Sequence, residues 1–288
     1  MNFRPLFLAP VGVAAALACQ AAPPTTAAPS ATPAAPAATD WRTVDPANLL
    51  VIDTNKGRIL VELWPQVAPA SVAQIVALTK AGFYNGRSFF RVIDGFMDQT
   101  GDPQDNGQGG STRPNLPPEF TFRHDPSDMT VIVDSQAQLD SGFVGQAPAF
   151  SQKANLADLT ADHKINGIVT FCSGVLGMAR AQDPGSGNSQ FFLMRGAQDH
   201  LNGQYTAAGR VVAGMDVVRQ IKTGEPVADP QDKMLTVRLA SDMPAAQRPT
   251  VRVVDTRSPW FAAEVARVKA QKLVGVSPCD IDIPSDVK

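Results

Sequence analysis

From Asn48 onward the chain alternates short apolar runs with polar punctuation. "LLVIDT" and "GRILVELW" are rich in β-formers and are split by "NKG", an Asn-and-Gly turn signal, so they predict a hairpin. "APASVAQIVALTKAGFY" changes the period. Val72, Ile75, Val76 and Thr79 fall on one stripe, Pro69 suits a first helical turn, and Gly82 suits the C-terminal cap. Further on, "IVTFCSGVLGMAR" and "SQFFLMR" read as strands. "GRVVAGMDVVRQIKTG" reads as a strand, a turn at Gly214 and a short helix striped by Met215, Val218 and Ile221. Many short strands with only two convincing helices predict an all-β barrel or sandwich. No internal repeat is present.

Two regions fit that core poorly. Residues 120 to about 166 mix "MTVIVD" with Gly, Pro, Ser and Gln and sustain no period, which predicts an inserted loop region. Residues 225–288 read as a C-terminal extension packed on the barrel. They hold strand candidates "MLTVRLA" and "TVRVVD", then a helix in "SPWFAAEVARVKAQKLVG". There Ser258 can cap, Pro259 fits the first turn, Phe261, Val265 and Val268 share a face, and Gly275 ends it.

The N-terminus carries a different message. "MNFRPLFLAPVGVAAALACQ" runs from one positive residue, Arg4, through an apolar stretch to Ala16-Leu17-Ala18 before Cys19, the order of a secretory signal. It is too short for a membrane span, and no later segment approaches the roughly 20 apolar residues one needs. Two fates stay open for residues 1–19. The A-x-A pattern suits cleavage after Ala18, while small residues before a cysteine resemble the lipobox of bacterial lipoproteins, in which Cys19 is acylated. Residues 20–43 are almost all Ala, Pro, Thr and Ser at first, and predict a disordered tether that cannot bury enough apolar surface to order itself. Such a leader places the chain in the bacterial periplasm, with Cys19 as an outer-membrane anchor if it is acylated. Net charge is −2 with basic residues scattered, which argues against a nucleic-acid partner.

The stretch that carries chemistry is "FFRVIDGFMDQTGDP", residues 89–103, where Arg91 sits among Phe89, Phe90, Val92 and Ile93. A guanidinium in such company is either a surface arginine with its stem on apolar ground or a desolvated donor. "FFRVIDGFMDQTGD", "GVLGMARAQDPGSGNSQFFL" and "HLNGQYTAAGRVVAGMDVV" together resemble the signatures of the cyclophilin family of peptidyl-prolyl cis/trans isomerases. The opening hairpin and helix follow the same family. The resemblance covers about residues 48–122 and 166–222, in order.

What the resemblance implies is a closed, antiparallel eight-stranded barrel capped by two helices, spanning residues 44–224 with an insertion at about 123–166. Its substrate groove lies on the outer face. Carried over by position, Arg91 is the catalytic arginine, and Phe96, Met97, Phe192 and Leu201 line a proline pocket. Gln99 reaches the substrate backbone, and Ala179, Arg180, Ala181 and Gln190 edge the groove. Departures are visible. His200 stands where the family often has a cyclosporin-binding tryptophan, Tyr205 replaces a usual histidine at the pocket wall, and Arg180 replaces a usual asparagine. Ala208 stands for a common phenylalanine and Asp94 for a usual proline. The implied activity needs neither cofactor nor metal. Its partners are X-Pro segments of unfolded or exported polypeptides, met by a monomer without nucleic acid and touching membrane only through an N-terminal lipid.

Other signals are weaker. "DPGSGNS" lacks the Gly-Lys-Ser/Thr of a phosphate loop. His124, His163 and His200 show no ligand spacing, and no G-x-S-x-G elbow appears. Once Cys19 is set aside, Cys172 and Cys279 are left. In an exported chain they invite a disulfide, the alternative being two free thiols. Three functional readings follow: a prolyl isomerase assisting the folding of exported proteins, a catalytically slow chaperone or scaffold that binds proline segments in the same groove, and a secreted small-molecule-binding barrel. The last explains neither Arg91 nor the three motifs.

Overall fold

In chain order the elements are β1 (Trp41–Thr43), β2 (Leu49–Thr54), β3 (Gly57–Leu63), α1 (Pro69–Lys80), β4 (Arg91–Ile93) and β5 (Met97–Thr100). Then come β6 (Phe122–His124), β7 (Met129–Val133), β8 (Asp140–Val144), β9 (Ala147–Ser151) and β10 (Ile165–Val169). The chain continues with β11 (Val175–Met178), β12 (Phe191–Met194), β13 (Ala207–Ala213), α2 (Met215–Gln220) and β14 (Met234–Leu239). It closes with β15 (Val251–Val254), α3 (Pro259–Gln271) and β16 (Ser285–Val287). These come from a computed structural model that describes residue 1 and residues 34–135, 139–272 and 275–288. The signal-like segment, Cys19 and the tether up to residue 33 lie outside the described residues.

Eight strands form one antiparallel sheet in the order β14-β2-β3-β13-β11-β12-β5-β4. Its edges meet through short bridges, Ser88 with Lys233 and Val92 with Gly224, rather than through a continuous ladder. Phe89 N–H donates to the Asp232 carbonyl at 2.9 Å, Met234 N–H to Arg87 at 2.8 Å, and Val227 N–H to Phe90 at 2.9 Å. The sheet therefore curls into a barrel. The sequence pattern ends that barrel at residue 224, but the structure carries it on: "MLTVRLA" supplies the eighth strand, β14, and is not extension.

The hairpin β2–β3 shows why its sequence alternates so little. Leu50, Ile52, Ile59, Val61 and Leu63 face the barrel interior with Val72, Ile75 and Leu78 of α1 and Val218 of α2. Leu49, Val51 and Leu60 face outward yet are equally buried, beneath Val251 and Val253. A strand covered on both faces reads as a continuous apolar run. Helix α1 starts at Pro69 as expected, but Ala68 gives its first turn no side-chain cap. Glu119 does so from a distance, accepting from the N–H groups of Ala70 and Ser71 at 2.8 and 2.9 Å. A carboxylate there also suits the positive end of the helix dipole.

The region expected to be an inserted loop is instead a second sheet of five strands, ordered β6-β10-β9-β8-β7. Its pattern is hidden because β8 is buried at every position, Asp140, Ser141 and Gly142 included. Lys153 pairs with the Asp140 carboxylate at 2.5 Å. A Cβ on Gly142 would lie 2.0 Å from the Thr130 carbonyl, so only glycine admits that neighbour. Ile132 and Phe143 of this sheet share a cluster with Phe261, Val265 and Val268 of α3 and with Ile281 and Ile283. The two regions that fit the barrel poorly thus build a core of their own. Ser258 caps α3, accepting from Phe261 N–H at 3.2 Å, and the helix ends at Gln271, short of Gly275.

The tether expectation also needs trimming. Trp41–Thr43 is strand β1, paired with β15 in a three-stranded sheet β1-β15-β16. Trp41 packs against the α3 cluster, which gives this end of the segment the apolar anchor that its Ala/Pro part lacks. Cys172 and Cys279 are joined in a disulfide, 107 residues apart in sequence.

His124 on β6 is buried, with Nε2 2.8 Å from Ser151 Oγ and Nδ1 2.8 Å from the Asp125 carbonyl. Burial holds its imidazole below the usual histidine range, against the pull of the Asp125 carbonyl and the Asp128 charge. A base depressed in the folded state is protonated first in the unfolded chain. Its stabilising contribution is therefore present above the ordinary histidine pKa and is lost as pH falls. Between pH 8 and pH 5.5 the urea midpoint of the wild type should fall relative to that of His124→Gln, other titrating groups being common to both. Equal slopes for the two proteins would show that His124 carries none of it.

Candidate active site

Register across the barrel wall builds the site. Arg91 on β4 stands opposite Gln99 on β5, Gln99 opposite Phe192 on β12, and Phe192 opposite Gly177 on β11. Paired residues share a face of the sheet, and their chain neighbours take the other. So Arg91, Gln99 and Phe192 project outward, while Val92 and Leu193 point into the barrel core. Gly177 completes the row by having no side chain: a Cβ there would sit 2.3 Å from the Phe192 ring. Its absence lets that ring lie over β11, stacked on Phe171 with centroids 6.0 Å apart and meeting Tyr205 edge-on at 5.9 Å.

The apolar company of Arg91 in sequence has a different purpose from the one its pattern suggests. Phe89 and Val92 belong to the barrel interior and do not line the groove. The apolar surface beside the guanidinium comes from further along the chain. A cavity of about 100 Å³ is lined by Arg91, Phe96, Met97, Gln99, Ala179, Arg180, Phe192, Leu201 and Tyr205. An adjoining depression of about 200 Å³ shares Gln99, Ala179 and Arg180 and adds Ala181, Gln190, Ser186, Asn188 and the backbone of residues 107–109. His200 lies outside both linings, exposed at the rim with its ring 6.0 Å from that of Phe96. A larger cleft, about 620 Å³, opens beside the disulfide and contains none of the expected groove residues.

Arg91 is held from both sides. Its Nε donates to Glu225 at 2.6 Å, and its Nη1 to Gln99 Oε1 at 3.3 Å. Gln99 Nε2 donates in turn to Gln190 Oε1 at 2.9 Å, and Gln190 Nε2 to the Gly109 carbonyl at 2.7 Å. Among the described residues nothing bonds Nη2. Arg180 lies flat on Tyr205, its Cζ 4.4 Å from the ring centroid, with Nε and Nη2 donating to the Gln204 carbonyl at 3.1 and 3.0 Å. Behind the row, Arg195 reaches Asp98 at 2.5 Å and the carbonyls of Val218 and Ile221 at the end of α2. Burial pushes the Asp98 carboxyl up to about 7, while Arg195 pulls it the other way.

Two contributors escaped the sequence reading. Glu225 is 134 residues from Arg91 and sits in a stretch with no motif, so nothing local marks it. The second is the glycine-rich loop "GDPQDNGQGGST", residues 101–112, in which Gly107 and Gly109 wall the second depression. Among the described residues no cluster of three or more His, Cys, Asp or Glu is placed to hold a metal. No helix among them is long and apolar enough to cross a membrane.

A curled eight-stranded antiparallel sheet with an outward apolar cleft beside a guanidinium defines a β-barrel that carries its site on the outer wall. Residues 49–241 match the family described as cyclophilin type peptidyl-prolyl cis-trans isomerase/CLD. The chain belongs to that family and is a cyclophilin-type peptidyl-prolyl cis/trans isomerase. It is 35% identical over 214 residues to a probable peptidyl-prolyl cis-trans isomerase of Brucella suis, covering 69% of this chain and 85% of that one. It is 30% identical over 176 residues to peptidyl-prolyl cis-trans isomerase B of Bacillus subtilis, covering 61% and 90% of the two chains. The crystal structure of cyclophilin AquaCyp293 from Hirschia baltica superposes with a TM-score of 0.78 at 35% identity, over 86% of this chain and 93% of that one.

Proposed function

We propose that the protein isomerises X-Pro bonds in exported polypeptides, with Arg91 as the group that favours the twisted amide. Rotation about a peptide bond meets a barrier of roughly 18–20 kcal/mol because the nitrogen lone pair is conjugated with the carbonyl. Before proline the two isomers differ by only about 0.5–1 kcal/mol yet exchange over tens to hundreds of seconds. No nucleophile, proton shuttle or metal is required. A catalyst need only hold the prolyl ring and bind the twisted amide more tightly than the planar one. At the transition state the nitrogen lone pair is localised and accepts a hydrogen bond, which a permanently protonated guanidinium can donate.

The observation that carries this reading is the Arg91 Nη edge at a cavity walled by Phe96, Met97, Phe192 and Leu201. Its volume of about 100 Å³ is several times the roughly 10–15 Å³ that admits a single water, room for a small ring. On this reading Gln99 meets the substrate backbone, and Gln190 and Ala179 to Ala181 form the edge along which a peptide would lie. Glu225 engages only Nε, so the ion pair steers the guanidinium without consuming the Nη donors. The test is isomer exchange of a short X-Pro peptide, followed by NMR, for the wild type and Arg91→Ala together.

Glu225 gives a second, separable test. Glu225→Ala should lower kcat by about 5- to 20-fold with KM little changed, because a misaligned donor costs rate rather than binding. Glu225→Gln retains an acceptor for Nε and should stay within three-fold of wild type. A fully active Glu225→Ala would remove Glu225 from the site.

Export is supported by the signal-like leader and by the Cys172–Cys279 bond, since disulfides persist in oxidising compartments. On this reading the chain acts in the bacterial periplasm as a foldase, on a tether that a lipid on Cys19 would fix to the outer membrane. The intact mass of the mature chain separates acylation at Cys19 from cleavage after Ala18.

A further inference from the structure

The two guanidiniums of the groove differ in one respect: Arg91 carries a carboxylate partner and Arg180 does not. Arg180 spends its donors on neutral carbonyls, those of Gln204, Ala181 and Gln182. Among the described residues it forms no ion pair. Stacking on Tyr205 at 4.4 Å and a longer contact with Phe120 at 5.8 Å fix its plane. It is thus a positioned charge rather than a waving one.

Its location makes that charge consequential. Arg180 lines both the small apolar cavity and the adjoining polar depression, so it forms part of the ridge between them. In the depression it is the only charged residue of the lining. The remaining walls are amides, a hydroxyl, alanines and glycine backbone. Gln190 turns its amide N–H groups away to Gly107 and Gly109, and the Asn188 amide is tied to Ser111, Arg113 and Asn115. An entering side chain therefore meets polar walls whose one charged lining group is positive, the Asp102 carboxylate lying behind the wall and tied to the N–H of Gly107 at 2.6 Å. At the other end of the cleft, Glu225 already neutralises Arg91.

We infer that Arg180 selects prolyl segments carrying an acidic side chain on one flank of the proline, seated in the depression beside it. This deepens the reading of the cleft as a prolyl site and rests on it. A carboxylate there gains an ion pair with a guanidinium that has none, and a lysine meets an unscreened like charge. A partly exposed pair is worth little in absolute terms, but attraction and repulsion act in opposite directions on the ratio. The opposite flank, facing the Arg91–Glu225 pair, exerts no such preference.

The experiment compares kcat/KM for peptides with Glu, Ala or Lys at each of two positions on either side of the proline. At low salt the wild type should favour Glu over Lys by about five-fold at one flank only. The ratio should shrink toward one in 0.5 M salt, as expected for a screened pair. Arg180→Lys keeps the charge without the stacked plane and should keep the preference, while Arg180→Gln should abolish it. Each ratio is taken within one enzyme, so a general loss of activity in a variant does not disturb the comparison. A wild-type ratio near one, equal preference at both flanks, or a preference that survives in Arg180→Gln overturns the inference. Failure to turn over even the alanine peptide overturns the prolyl reading itself, and this inference with it.

Discussion

Arg91→Ala should lower kcat/KM for an X-Pro peptide by about 100- to 1000-fold, the scale of losing one donor aimed at charge that develops in the transition state. The loss falls on kcat. The planar amide of the ground state offers no nitrogen lone pair to donate to, so on the proposed mechanism Arg91 would favour the twisted state and do little for the bound substrate. The guanidinium sits where such a bond gains strength, against Phe96 and beside buried Met97, Phe192 and Leu201. Folding should be almost untouched. The side chain is 35% exposed and belongs to the outer row of the barrel wall, not to the interior that Val92 joins. A circular-dichroism melt within a few degrees of wild type checks that point. Peptide affinity retained with turnover lost is the expected pair of results. Turnover within three-fold of wild type would remove the mechanism and favour a groove that merely holds proline segments.

How far the sequence leads depends on whether a residue's neighbours in space are also its neighbours in the chain. The β2–β3 hairpin and α1 were legible because turn, cap and stripe are local signals. That Arg91, Phe192 and Tyr205 meet was legible through three motifs, since all three line one cavity. The apolar flanks of Arg91 in sequence are not the apolar surface beside its guanidinium. Strand alternation sends Val92 to the core and Phe89 joins it from the segment before β4, and a pattern of residue types does not say which face each one takes.

What stayed hidden was set by long-range burial. β8 and β9 contain Asp140, Ser141, Gly142, Pro148 and Ser151, none of which looks like core, yet all ten positions but Phe150 are buried. Their partners are the other strands of the same sheet, helix α3 through Phe143, and barrel residues such as Trp64, Val67 and Phe171, which share a cluster with Val144, Ala147 and Ala149. The strand β14 was seen but assigned to the wrong body, because pairing with β2 is not written in its own residues. Glu225 illustrates the same limit at the site: an exposed glutamate gains meaning only when barrel closure at Val92 and Gly224 brings it to Arg91.

The disulfide should matter more for stability than any exposed ion pair in the molecule. Cys172 packs in the cluster that also holds Phe171 and Phe192, and Cys279 lies against the same cluster from the turn after α3. The bond therefore ties the C-terminal segment to the chain leading into β11. Closing a loop of about 100 residues removes about 4.7 kcal/mol of unfolded-state freedom in the chain-entropy account, and losing a native bridge costs about 2–5 kcal/mol in small secreted domains. Cys172→Ala/Cys279→Ala should accordingly lose about 2–5 kcal/mol of unfolding free energy by urea titration. The loss should begin locally. β16 has a ladder to β15 of only three residue pairs, and Ile281 and Ile283 are the apolar anchors between the cysteine and that strand. Amide exchange should therefore quicken first across residues 280–288, ahead of β2 and β3, which are paired on both sides within the barrel sheet. Prolyl turnover should survive, since the bridge contributes no atom to the cavity lined by Arg91 and Phe192. An unchanged urea midpoint, with exchange at residues 280–288 as slow as before, would mean that packing alone holds the extension in place and the covalent link adds nothing.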